Sequence, residues 1–447
     1  MTTSALPSVD HKPMNLFQWS VIGICMIINA IDGFDVLVMA FTAAAVSAHW
    51  SLTGAQLGGL LSASLVGMSL GSFFLAPWAD KVGRRPLILV CLMISGSGML
   101  LAAHSQSALQ LGLMRFMTGI GIGGILASTN VVSSEYASLK WRNLAVSLQA
   151  TGYTVGALGG GMIAMVLLEN YGWRSVFTVG GILTLGMVPI VYLFLPESLD
   201  FLVARQPKNA LERVQKLSRK LGLARPETLP RAPYASVTKA RFGALIALLG
   251  PKYLKTTVFL WCCSFLILFG FYFVMSWTPK LLTTAGLSAQ QGITGGVLLS
   301  AGGIFGTALL GVLSSRFRLV NVQSFFLLGT AILMTCFVAA TTQATAAFTV
   351  GLLLGVTVNG CLAGLIALAP GLYDASVRTT GLGLAIGVGR VGGMLSPLVA
   401  GQFLDAGWTP GALFALFACA FGAAMLVTLI YSHRLKAVMP VATAADA

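Results

Sequence analysis

The chain has 447 residues, of which 56% are hydrophobic and only 9% charged. Soluble domains carry about 25% charged residues, so a chain this apolar lacks the polar surface to cover a water-soluble fold, and composition leaves the membrane class. The net charge of +14 would suit a nucleic-acid partner, but the Lys and Arg residues sit in short segments between apolar runs, twelve of them between Arg205 and Lys255. That is positive-inside charge, and it excludes nucleic acid.

A membrane-spanning helix needs about 20 apolar residues. In chain order the apolar runs predict spans at 17–46, 55–78, 86–104, 111–134, 145–168 and 174–195. A second set follows at 256–278, 290–314, 322–342, 346–370, 379–402 and 410–431. The first run is too long for a signal-peptide core and is followed by no convincing cleavage site, so it is read as a first helix. Between the sets, 197–255 is polar, basic and holds several prolines. It reads as a cytoplasmic linker with an amphipathic helix near Ala210–Leu221. The domain expectation is an N-terminal six-helix bundle (1–196), the linker (197–255) and a C-terminal six-helix bundle (256–447).

Orientation follows from where the cations fall. With the N-terminus inside, inner segments hold 23 of the 27 Lys and Arg residues and outer loops only Arg174 and Lys280. This bias puts both termini in the cytoplasm of a multi-pass inner-membrane protein. Arg115 and Arg390 are left inside spans. The seven cysteines, Cys25, Cys91, Cys262, Cys263, Cys336, Cys361 and Cys419, all lie in apolar runs without metal-ligand spacing and read as small buried hydrophobes.

The two sets repeat. Glu135-Tyr-Ala-Ser-Leu-Lys-Trp-Arg142, Gly152-Tyr-Thr-Val-Gly156 and Gly172-Trp173 return as Tyr373-Asp-Ala-Ser-Val-Arg378, Gly389-Arg-Val-Gly-Gly393 and Gly407-Trp408. A duplicated six-helix unit is the plan of a secondary transporter with a midplane site.

Charge inside spans marks function, because a charged side chain at mid-bilayer costs about 2.5–3.5 kcal/mol on insertion scales. Asp32-Gly-Phe-Asp35 places two carboxylates three residues apart on one face of the first helix. Repulsion and desolvation favour sharing a proton, as a reversible proton carrier requires; the plainer reading is salt-bridging to Arg for packing. Arg115, in the fourth span, is a partner for Asp32 or Asp35. Arg390 is the one formal charge in the C-terminal spans. Two readings of it stand: a dock for a substrate carboxylate, or a resting-state partner of Asp32 or Asp35. Gly119–Gly124 and Gly387–Gly392 fit GxGxxG, but neither follows a strand, so no dinucleotide site is read. Glu135 and Arg142, at the cytoplasmic end of the fourth span, are read either as gate ion pairs or as plain interfacial charge.

Ala76-Pro-Trp-Ala-Asp80-Lys-Val-Gly83-Arg84-Arg85 resembles the signature of the major facilitator superfamily, with Ala76 in place of its first Gly. The copy after the eighth span, Gly311-Val-Leu-Ser-Ser315-Arg316, lacks the Asp, which weakens charge latching there. Asp32-Gly-Phe-Asp35 and Gly389-Arg-Val-Gly resemble the aromatic acid:proton symporters within that superfamily, as do Glu135, Arg142, Gly172-Trp-Arg174 and Leu195-Pro-Glu-Ser198. The resemblance implies an all-α integral membrane protein of twelve transmembrane helices in two pseudo-symmetric bundles, working as a monomer.

The function expected is import of a small organic acid anion, an aromatic carboxylate such as benzoate or hydroxybenzoate, with protons, by alternating access and with no other cofactor. The organic acid, protons and the lipid bilayer are then the partners. Proton coupling falls to Asp32, Asp35 and Glu135, and substrate contact to Arg390, Arg115, Asn130, Tyr153, Phe34, Tyr272 and Trp277. Gating falls to Asp80, Gly83, Arg84, Arg85, Arg142, Arg316 and Arg378. The chain departs from the family at Ala43-Ala-Ala45 and Thr129-Asn130, where Pro and Pro-Asn are usual. A proton-driven drug or metabolite exporter of the same fold, or an importer of a non-aromatic acid such as muconate, is the alternative. A membrane sensor would need a signalling domain for which the linker and tails leave no room. An enzyme is not supported: there is no HExxH, no GxSxG with partners and no P-loop.

Overall fold

The computed structural model describes residues 13–229, 245–340 and 343–438. The positive-inside charges of Lys12, Arg231, Lys239 and Arg241, and the side chains of Arg434 and Lys436, lie outside the described residues. The described residues are helical, without strands. Twelve helices are long and apolar enough to cross a membrane, one for each run expected from the sequence.

In order they are α1 (Leu16–Trp50), α2 (Gly54–Phe74) with a short α3 (Ala76–Val82), α4 (Arg84–Ala103), α5 (Ala108–Tyr136), α6 (Arg142–Tyr171) and α7 (Trp173–Phe194). Two linker helices follow, α8 (Leu199–Arg205) and α9 (Ala210–Lys220). The second set is α10 (Leu254–Thr284), α11 (Ala289–Arg316), α12 (Leu319–Ala340), α13 (Ala344–Leu368), α14 (Ala375–Asp405) and α15 (Pro410–Val438).

Local chemistry sets several ends. The Asn15 and Gln18 side chains reciprocally accept each other's backbone N–H at 3.0 and 2.9 Å, closing the first turn of α1. Ser288 and Gln291 make the same box at α11, and Ser107 caps α5. The run expected at 55–78 is broken after Phe74. Pro77 has no N–H and its ring clashes with the preceding turn, so the chain restarts as α3 with Pro at its beginning. Within the spans, hydroxyls such as Thr42, Thr118 and Ser128 donate to the carbonyl four residues back, which satisfies them without water.

The chain divides into two compact units that interleave along the sequence. The first comprises Met1–Val36, Val66–Gly160 and Tyr171–Ser236. Its core joins Val21, Cys25 and Ile28 of α1 to Ile88 and Cys91 of α4, Ile125 and Tyr136 of α5, and Val191 of α7. The second comprises Leu37–Leu65, Gly161–Asn170 and Val237–Ala447. Its core carries a run of rings, with Phe273 stacked on Phe417 at 3.9 Å and edge-on to Phe414.

Large apolar side chains stand exposed along the helices, among them Phe73, Phe194, Phe305 and Ile430, the surface that lipid contact requires. The cysteines depart from the expectation that all are buried: Cys262, Cys336 and Cys419 are exposed. They sit on outward faces of apolar helices, where a thiol is as compatible with hydrocarbon as with a core.

Candidate functional site

In the first unit, α1 and α6 touch backbone to backbone. A methyl group at Gly156 would overlap the Ala30 carbonyl, and one at Gly33 the Tyr153 carbonyl. Small residues allow this approach, and it sets the place of the α1 backbone that carries Asp32 and Asp35. Phe34 is buried and fills the space left by Gly160 and Gly180, so its ring serves packing between helices. Asp35 lies against the same Gly180.

Asp32, Asp35 and Arg115 are each fully buried. Neither carboxylate oxygen of Asp32 has a hydrogen-bond partner among the described residues. Asp35 accepts from the Thr184 hydroxyl through Oδ2 at 3.1 Å, while its Oδ1 has none. Arg115 donates through Nη2 to the backbone carbonyl of Asp35 at 2.7 Å and through Nη1 to the Met99 sulfur at 3.2 Å. Its guanidinium stands 5.9 Å from the Phe177 ring centroid, a cation–π distance. No ion pair joins Arg115 to Asp32 or Asp35 among the described residues.

A polar chain, of which the sequence reading noted only Thr129 and that as a departure from the family, runs one turn away. The buried Asn29 amide donates to the Gln149 carbonyl at 2.6 Å, and the Gln149 amide donates to Thr129 Oγ1 at 3.2 Å. The available signal was three polar residues inside apolar spans. Asn130, beside Thr129, is exposed.

In the second unit, Arg390 is half-buried on α14. It has no hydrogen-bond or ion-pair partner among the described residues, and it lies within electrostatic reach of the Tyr272 phenol. The Tyr272 ring packs against Gly393 and, edge-on, against Phe271. Trp277 is fully buried and donates through Nε1 to the Pro397 carbonyl at 3.3 Å, so it offers no open face for stacking. At the end of the same helix, Asp405 accepts the N–H groups of Gly54 and Ala55 at 2.6 and 2.8 Å, capping the start of α2.

The signature segment forms a hub in the first unit. Arg84 pairs with Asp80 and with Glu135, each at 3.4 Å. Arg205 donates to the Asp80 carbonyl at 2.8 Å. Arg142 donates to the Ser134 carbonyl at 3.2 Å, and Arg85 to the Tyr192 carbonyl. Gly83 has φ of 103°, a conformation that L side chains rarely adopt. Glu197, which sequence reasoning noted only as part of a landmark, organises this hub. Its Oε1 accepts the N–H groups of Arg84, Arg85 and Ser198 at 2.8, 3.3 and 2.9 Å, and its carbonyl accepts the Tyr136 hydroxyl at 2.6 Å. In the second unit Arg316 is exposed, and Arg378 lies 3.5 Å from the Tyr373 carbonyl. No group of His, Cys, Asp and Glu suited to a metal is present among the described residues.

Comparison with known proteins gives the wider frame. The family model of the Major Facilitator Superfamily matches residues 22–351. The gallate transporter of Pseudomonas putida is 30% identical over 441 residues, covering 98% of this chain and 96% of that protein. The 4-hydroxybenzoate transporter PcaK of Pseudomonas aeruginosa is 30% identical over 420 residues, covering 91% and 93%. Among solved structures, a partially occluded inward open conformation of the xylose transporter XylE from E. coli matches with a TM-score of 0.71 at 17% identity, covering 93% of this chain and 98% of that one. An inward-facing, unoccupied bacterial homolog of the lysosomal transporter Spinster matches with a TM-score of 0.67 at 19% identity, covering 95% and 97%. These likenesses carry the fold, and the relatives are transporters rather than enzymes. With twelve apolar helices, the signature segment of α3 and α4 and near-full-length relatives, the chain belongs to the major facilitator superfamily, on the branch that holds the gallate and 4-hydroxybenzoate transporters.

Proposed function

We propose that the chain imports a small aromatic carboxylate together with protons by alternating access, as an inner-membrane symporter with both termini in the cytoplasm. The observation that carries this reading is Asp32, a fully buried carboxyl group with no hydrogen-bond partner among the described residues. An unpaired buried carboxylate costs several kcal/mol, so a carboxyl in that place is a group to load and unload with a proton. Asp35 is its partner in relay, held by Thr184.

Arg390 is the proposed dock for the substrate carboxylate, because a guanidinium with open donors matches a carboxylate with two parallel hydrogen bonds. Tyr272 stands beside it as a ring on which a planar acid rests. Phe34 and Trp277 are assigned to packing. Asp80, Arg84, Glu135 and Glu197 form the proposed inner gate, whose ion pairs rearrange in each cycle. The names of the relatives, gallate, 4-hydroxybenzoate and benzoate transporters, support the aromatic class.

The test is uptake into proteoliposomes with an imposed pH gradient. Labelled gallate, 4-hydroxybenzoate, benzoate and muconate are compared with a lipophilic cation. Accumulation of one aromatic acid that collapses on adding a protonophore is the expected result. Accumulation indifferent to the protonophore removes the coupling, and gradient-driven efflux of the cation alone replaces the reading with an exporter.

A further inference from the structure

One cleft in the first unit adjoins the signature hub, sharing Arg85 and Glu197 with it, and its α9 cations have no role assigned above. It opens between the end of α7 and the amphipathic α9 and has a volume of about 240 Å³. Four cations line it: Arg85, Arg213, Lys216 and Lys220. The one carboxylate in its wall is Glu197, and Oε1 of that group is already occupied by three backbone N–H groups. Four positive charges against one negative leave the lining at three positive, counted from the same residues.

The cations are held in place with donors to spare. The far side of α9 is buried at Val214 and Ser218, and the helix end is tied down by Asn15, which donates to the Lys220 carbonyl at 2.9 Å. Val214 packs with Phe201 and Leu202 of α8. The side chains of Arg213 and Lys216 have no partner among the described residues, and the buried Nε of Arg85 has none either. Basic charge from the positive-inside rule needs only to face water; here it converges on a concavity and leaves the buried Arg85 Nε open.

The lip of the cleft is apolar. Leu193 and Phe194, the last residues of the α7 span, line it with relative exposures of 69% and 63%. A ligand seated there meets cations at one end and hydrocarbon-facing side chains at the other. We propose that this cleft binds the phosphate headgroup of an anionic phospholipid, with its acyl chains lying along the exposed end of α7. Juxtamembrane cation clusters attract anionic lipid by this electrostatics, and the apolar lip selects a lipid over a soluble phosphate. The inference rests on the membrane fold alone and does not depend on the identity of the substrate.

The test uses the purified full-length chain in detergent. Thermal melting and native mass spectrometry follow addition of phosphatidylglycerol, phosphatidylcholine or inorganic phosphate to the wild type and to the double variant R213Q/K216Q. Both substituted positions are exposed, so the variant keeps the fold, which its melting without lipid checks. The expected result is a larger melting shift and a retained lipid adduct with phosphatidylglycerol for the wild type, both lost in the variant. Equal shifts with phosphatidylcholine, or an undiminished phosphatidylglycerol shift in the variant, overturn the proposal. A wild-type shift reproduced by inorganic phosphate alone also overturns it, in favour of a soluble anion.

Discussion

Arg115 and Asp35 meet through the backbone: the arginine Nη2 donates to the aspartate's carbonyl oxygen at 2.7 Å, while the carboxylate of the same residue is held by Thr184. The guanidinium therefore anchors the α1 main chain and leaves both carboxyl groups outside an ion pair. Asp32→Asn should keep the protein folded, since no contact is removed, and should abolish accumulation against a gradient while exchange continues. Arg115→Gln should instead lower the melting temperature, because α1 loses its tie to α5. Concentrative uptake by Asp32→Asn equal to that of the wild type would eliminate the proton-carrier role.

Arg390 is half-buried on α14, with no hydrogen-bond or ion-pair partner among the described residues. Charge-assisted hydrogen bonds contribute about 1.5–3 kcal/mol, so Arg390→Ala should weaken binding of the transported acid about 10- to 100-fold by RT arithmetic. Arg390→Lys should recover only part of this, because an ammonium cannot reproduce the planar fork. Calorimetric titration of the acid into purified variants measures both; wild-type affinity in Arg390→Ala would refute the docking role.

The contact of α1 with α6 predicts opposite behaviour at two neighbouring glycines. Gly156→Val drives a side chain into the Ala30 carbonyl, and overpacking of this kind costs about 1–3 kcal/mol or more. Gly159→Ala meets nothing within 4 Å and should leave melting unchanged or slightly raised. Equal melting of the two variants would contradict the close approach.

Lys252 and Asp374 form an exposed ion pair at 2.6 Å, joined by the Tyr253 hydroxyl. Hydrogen bonds from Lys252 and then Tyr253 hold the Asp374 carboxyl below its ordinary range, and the bond to Asp374 holds the Lys252 ammonium above its own. The lowered aspartate contributes stability above its unfolded pKa of about 3.9, lost as pH falls through the folded value. The raised lysine contributes below its unfolded pKa of about 10.4, lost as pH rises through the folded value. Melting differences between Asp374→Asn and wild type should therefore be flat at neutral pH, shrink in acid and vanish at high salt. A difference that grows in acid would contradict the assignment.

Much of the fold was legible because apolar length alone marks a span, and all twelve runs became helices. The ends were harder. Nothing in Ala43-Ala-Ala45 stops a helix, so α1 runs on to Trp50 and ends at Ser51 with φ of 49°. The break before α3 was written in Pro77 but hidden by the apolar residues around it. In the site, the residue types were legible and their partners were not. Arg115 had two carboxylates as candidate partners, and only the folded backbone reveals that it takes a carbonyl. Glu197 reaches Arg84 across 113 positions, a distance over which no local pattern operates.

The cap on α2 bears on how the protein can be divided. Asp405 supplies the acceptors for the first N–H groups of a helix some 350 residues earlier, and Ser62 donates to the Met394 carbonyl along the same seam at 2.9 Å. A fragment ending in the linker would present the first turn of α2 with bare amide donors. Co-expressed fragments should therefore reassemble through this seam, and a fragment produced by itself should be the one that cellular quality control removes.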